Sequence, residues 1–99
     1  MIIRKYRWSK VYESSEEELV AVLQSHKIEG SRRHIDAGDE PTKQHTRGPT
    51  TIWCAEGSVT IETKSNNTSL QPGDALLIDA NTTYSVRPGI TGCAYYLSG

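Results

Sequence analysis

Leu70-Gln71-Pro72-Gly73-Asp74-Ala75-Leu76-Leu77-Ile78-Asp79-Ala80-Asn81-Thr82-Thr83-Tyr84 is the stretch that decides the fold. Pro72-Gly73-Asp74 reads as a turn. The proline presets one φ, the glycine accepts a positive φ, and the aspartate can bond its own backbone. Ala75 to Ile78 is a short apolar run between breakers, too short for a buried helix, and reads as a buried strand. Asp79 to Thr83 turns the chain again, and Tyr84-Ser85-Val86 opens the next strand. Upstream, Thr51 to Glu56 reads as a strand, Gly57 as a turn, and Ser58 to Thr63 as an alternating strand. Asn66-Asn67 offers a tight hairpin turn that tolerates positive φ. This succession predicts a small all-β barrel or jelly roll.

With the segment ahead of them, these residues resemble the cupin family, small double-stranded β-helices of the jelly-roll type. The family carries two motifs, G-(X)5-H-X-H-(X)3,4-E-(X)6-G and G-(X)5-P-X-G-(X)2-H-(X)3-N. Gly73 begins the second motif, with Asp79 on the family Pro, Asn81 on its Gly, Tyr84 on its His and Pro88 on its Asn. In the first motif Lys43 falls on the first His, His45 on the second, Thr50 on the Glu and Gly57 on the closing Gly. Gly38 sits one residue closer to Lys43 than the pattern asks. The resemblance implies an all-β, cupin-like double-stranded β-helix: a jelly-roll barrel with one short N-terminal helix. It covers about residues 31–97, the motif core of a single cupin-like domain expected over residues 1–99.

Ninety-nine residues suffice for one domain with an adequate core. A net charge of −1 gives no reason to expect nucleic acid or an anionic membrane as partner. No apolar run approaches a membrane span, and Met1-Ile2-Ile3-Arg4-Lys5-Tyr6 has no signal-peptide apolar core. A cytoplasmic location is therefore expected. There Cys54 and Cys93 are reduced, and they read as two small core residues on neighbouring strands.

Ile2 to Trp8 has the alternation of a strand. A strand outside the motif core can cover its edge by pairing with a second subunit, so a homodimer is expected. Ser14-Ser15-Glu16-Glu17-Glu18 reads as a helix start: either serine can cap, and the acidic run suits the positive end. Leu19, Val20, Val22 and Leu23 follow at helical spacing, and the helix is expected to end near His26-Lys27. Such a helix is expected to cover an open end or edge of the barrel. Gly30 to Asp36 reads as the next strand, with Arg32 and His34 on one face and Arg33 and Ile35 on the other. The resemblance favours Ile35 facing inward. Arg33 would then be an anion clamp for a carboxylate or phosphate; otherwise it lies on the surface at a strand edge. Tyr95 and Tyr96 face opposite ways, so one of them belongs to the core.

In metal-bearing cupins two His, a Glu and a third His hold a divalent ion. Here those positions carry Lys43, His45, Thr50 and Tyr84. A lone imidazole is a poor site for divalent Fe, Mn, Ni or Zn, and the Lys43 ammonium repels one, so no cofactor is expected. The alternative is a metal-dependent enzyme of the dioxygenase, isomerase or lyase kind, with His34, Glu56, Asp79 or an ionised Tyr84 as substitute ligand. Without a metal, the four positions offer a cation, an imidazole, a hydroxyl and a phenol at the barrel mouth. Such a set can hold a small polar or anionic molecule and move protons. His45 is the candidate general base or acid and Tyr84 the candidate oxyanion donor. Ile52 and Cys54 share the Thr50 face by the period-two rule and supply an apolar floor, joined by Val86. Lys43, His45, Thr50 and Tyr84 are thus expected to converge on one concavity, with Arg33 as a fifth polar member. The expected function is binding of a small-molecule ligand in the barrel, with or without catalysis. A third reading is a non-enzymatic regulatory or structural interaction protein, since the fold alone does not choose.

Overall fold

Two long strands carry the architecture. In the computed structural model, which describes residues 3–9, 15–64 and 66–99, β4 (Thr50–Glu62) and β7 (Thr83–Ser98) run antiparallel from Thr51 opposite Ser98 to Glu62 opposite Ser85. The other elements are β1 (Ile3–Arg7), α1 (Glu16–Ser25), β2 (Ser31–Ile35), β3 (Thr42–His45), β5 (Asn67–Leu70) and β6 (Asp74–Ile78). Near one end, β6 pairs with β4, β1 with β6, and β2 with β7. Near the other, β5 pairs with β4 and β3 with β7. Every pairing is antiparallel.

Register shifts at Cys54/Glu56 and Gly57/Val59 bend this pair. A bulge adds a residue to one strand and sharpens its twist. The inward face accordingly changes from even numbers, Ile52 and Cys54, to odd, Val59 and Ile61. In β7 it changes from Tyr84 and Val86 to Cys93 and Tyr95. The sheet folds over itself and joins these eight to Leu70, Leu76 and Ile78 in one buried cluster. Gly57 is therefore a bend inside one strand, not the expected turn between two. Its φ of +71° is left-handed, and a Cβ there would collide with the Gly92 carbonyl oxygen. Tyr84 and Tyr95 likewise lie on one continuous strand, β7.

Other turns follow the chain chemistry more closely. Gly73 takes φ +103°, and the Asp74 carboxylate accepts from Gln71 N at 3.0 Å. Asp74 is buried and also meets Arg7 at 3.0 Å and Lys5 at 3.8 Å. That anchors β1 to β6 of its own chain, where the sequence suggested pairing with a second subunit. Asn81 adopts φ +57° where the family pattern has glycine, which asparagine tolerates. The β4–β5 hairpin closes by Thr63 N donating to Asn66 O at 2.7 Å, so the turn ends at Asn66 and Asn67 already belongs to β5.

The helix lies on the outer face of the sheet, not over an end or edge of the barrel. Ser15 caps it, its hydroxyl accepting from Glu18 N at 3.2 Å; Ser14, the other candidate cap, lies outside the described residues. Leu19 and Leu23, one turn apart, pack on Trp53, Ala55 and Ala75, which point away from the barrel interior. Full burial of each leucine contributes about 1.5–3 kcal/mol. Glu16 pins the first turn: Arg32 donates to it at 2.7 and 3.2 Å, and the Tyr96 hydroxyl at 2.6 Å. Tyr96 thus serves the helix while Tyr95 serves the core.

Two outcomes follow. Gly57→Ala must accept both the left-handed backbone and the Gly92 collision, and should destabilise by more than about 2 kcal/mol in urea denaturation. The Arg32 guanidinium, then the Tyr96 hydroxyl, hold the Glu16 carboxyl below its ordinary value of 4.5. A depressed folded-state pKa gives stability that is full above the unfolded value and lost as pH falls through the folded one. The stability gap between the wild type and Glu16→Gln, measured at a series of pH values, should therefore close as pH drops below 4.5.

Candidate functional site

Directly opposed residues of an antiparallel pair share a face. Between β3 and β7, Gln44 opposes Tyr84 and Thr42 opposes Val86. Tyr84 and Val86 are buried in the interior, so Gln44 and Thr42 stand on the interior side at the rim. Lys43 opposes Ser85 and His45 opposes Thr83, on the outer face. The His45 Nδ1 lies 3.0 Å from Thr83 Oγ1. His45 and Tyr84 therefore leave the sheet on opposite sides, and the expected convergence of Lys43, His45, Thr50 and Tyr84 does not occur. The cause is the two-residue period of a strand: a register one residue away would reverse every side chain of β3.

The other expected members divide. Thr50 is on the interior face opposite Ile78, but its hydroxyl donates to Gly48 O at 3.0 Å. Ile52, Cys54 and Val86, expected as an apolar floor, lie in the same buried core cluster as Tyr84. Burial pushes the Cys54 thiol up to about 12 and also raises Cys93, so both stay neutral and free. Arg33 opposes Tyr95 and shares the face of Ile35, as the inward reading requires. Its side chain remains exposed on β2, which pairs with β7 beyond the stretch that β3 pairs with. Among the described residues no carboxylate pairs with it.

The Arg33 charge is felt by two buried phenols, Tyr84 at 4% and Tyr95 at 3% exposure. Burial raises the Tyr84 pKa, and the Arg33 charge partly opposes this. Burial, then the neighbouring Tyr84 and Cys93, push Tyr95 up to about 12, again against Arg33. Both hydroxyls are thus neutral donors at ordinary pH. Among the described residues neither has a hydrogen-bond partner. A buried hydroxyl left unpaired costs about 1–3 kcal/mol, so this pair calls for water or a ligand. Tyr95 was not among the sequence candidates; the signal was its parity with Cys93 along an inward face. Gln44 was missed because nothing local reveals the register of β3.

Outside the barrel, Lys43, Lys64, Glu62, Asn67, Thr83 and Ser85 border an open cavity of about 580 Å³, which Thr63 and Tyr84 also edge. A divalent metal does not fit this donor set. Among the described residues no three of His, Cys, Asp and Glu come together. His34 and Glu56, named as substitutes, both oppose Ala94 on the outer face, and His34 pairs with Asp36 at 3.5 Å. Among the described residues no helix is long and apolar enough to cross a membrane.

No protein-family model matches the sequence, and no curated protein matches it. Solved structures do match. A DUF861 family protein from Thermotoga maritima superposes with a TM-score of 0.64 at 10% identity, covering 97% of each chain. A cupin superfamily protein from Desulfitobacterium hafniense gives 0.64 at 12% identity, over 98% of this chain and 75% of that one. The chain has the cupin fold. A salicylate 1,2-dioxygenase from Pseudaminobacter salicylatoxidans matches at 0.55 with 16% identity, over 94% of this chain but 34% of that enzyme. At such identities the likeness is one of fold, and the chemistry of this chain rests on its own residues.

The phenols give a direct check. In a tyrosinate absorbance titration the last group to ionise should be Tyr95, near 12, and Tyr95→Phe should remove that phase. Because the Arg33 charge lowers both phenols, Arg33→Met should move Tyr84 and Tyr95 higher still.

Proposed function

We propose that this chain binds a small carboxylate at the opening between β2 and β3, with Arg33 as the clamp and Tyr84 and Tyr95 as the donors. What supports this is the Arg33 guanidinium, unneutralised among the described residues, whose charge is felt by two buried phenols that also lack a hydrogen-bond partner among the described residues. A carboxylate accepts at about four lone-pair positions. Two guanidinium N–H groups and two phenol O–H groups supply that number, and the planar fork of arginine suits the planar anion. Gln44 and Thr42 on the rim can take further polar groups. Ile52, Cys54 and Val86 fill the floor, so the ligand sits in the opening and not in the depth of the barrel.

The reading is one of binding. His45, which the sequence favoured as the base, is on the outer face and has no part in it. Tyr84 and Tyr95, both held protonated, can donate a hydrogen bond but are poor bases. Malonate, with malonamide as the uncharged control, is a suitable probe for an amide-shift NMR titration. Malonate should give saturable shifts around Arg33, Tyr84 and Tyr95, and malonamide none. Loss of a charge-assisted contact is worth about 1.5–3 kcal/mol, so Arg33→Met should weaken binding about tenfold or more. Tyr84→Phe should weaken it severalfold. Equal malonate affinity in wild type and Arg33→Met would defeat the reading.

A further inference from the structure

Two lysines without a carboxylate partner among the described residues lie elsewhere, on the outer face where β3, β7, β4 and β5 meet. Lys43 opposes Ser85, Ser85 opposes Glu62, and Glu62 opposes Asn67, so one row of side chains crosses four strands. With strands about 4.8 Å apart the row spans about 14 Å. The next positions place His45 on Thr83 and bring Lys64 to the end of the hairpin. Among the described residues neither Lys43 nor Lys64 meets a carboxylate. Glu62 could have neutralised one of them, but it accepts from Arg87 Nε at 3.1 Å instead. The cavity is thus lined by two lysines and one carboxylate, and that carboxylate is held by Arg87 from outside the lining.

We propose that this cavity is a second binding site, for a small phosphate monoester. Lysines are compact point charges on flexible stems and suit a compact dianion that can be met from two directions. The Arg33 opening suits a planar carboxylate, so the two sites differ in ligand class. Ser85 and Asn67 lie between the lysines and make no other side-chain hydrogen bond among the described residues. They can meet hydroxyl groups on the body of the ester. A cavity of about 580 Å³ lies within the range that holds small metabolites.

The probes are glycerol 3-phosphate and inorganic phosphate, with glycerol as the neutral control, titrated into the full chain while amide shifts are followed by NMR. Glycerol 3-phosphate should shift Lys43, Lys64, Asn67 and Ser85 saturably, more tightly than inorganic phosphate, and less tightly as salt rises. The double variant Lys43→Met/Lys64→Met should bind at least tenfold more weakly while keeping a wild-type spectrum elsewhere. Arg33→Met should bind as wild type does, which separates this site from the carboxylate site. The inference is overturned by shifts that do not saturate, or by affinity that the double lysine variant leaves unchanged. Loss of binding on Arg33→Met instead would overturn it too, because the phosphate would then occupy the barrel opening.

Discussion

The close approach of Gly57 to Gly92 sets the geometry on which the rest of the molecule depends. At that point two long strands must cross from one half of a folded sheet to the other while keeping their ladder. A side chain at Gly57 would occupy the space of the Gly92 carbonyl, and the left-handed φ at both residues permits the bend. Gly92 in turn lies against the backbone of Ile35 and Ala37, where a Cβ would meet Ile35 O at 2.8 Å. The bend therefore also fixes how closely β2 approaches β7. Because β2 carries Arg33, a backbone constraint at two glycines decides where the guanidinium stands.

The same bend explains why the interior is apolar and the chemistry peripheral. Folding the sheet brings two inward faces together, and eleven buried side chains fill the space between them. Interiors pack densely, so a ligand in the depth would have to displace core. On the edge strands β2 and β3 the inward-side polar residues Arg33, Thr42 and Gln44 stay exposed. There a charged head can reach water, as the exposed Arg33 does, while its charge is still felt by Tyr84 and Tyr95. Helix α1 plays no part in this opening: it covers the outward face of Trp53 and Ala55 on the far side of the sheet.

The turns were legible because each depends on one residue type. Gly73, Asp74 and Asn81 bend the chain where the local chemistry said they would, and the start of α1 is written in Ser15 and its acidic first turn. The inward faces of β2 and β4 followed from the resemblance, which favoured Ile35 inward and set Ile52 and Cys54 on the Thr50 face, and all three pack with the core. Thr42-Lys43-Gln44-His45 has no apolar residue to mark a face. On such a strand the sequence is symmetric between its two orientations, and motif spacing pointed to the wrong one.

From sequence alone came the all-β jelly roll, the helix start and the turn residues Gly73 and Asn81. Each follows from local propensity or from the identity of residues present. Tertiary structure alone decided that Gly57 bends one strand instead of joining two, that β1 pairs within its own chain, and that Lys43 and His45 face away from Tyr84. It also brought Tyr95 beside Tyr84 from eleven residues further along β7. These depend on pairing register between distant segments, a property of contacts between strands that no single stretch of chain contains.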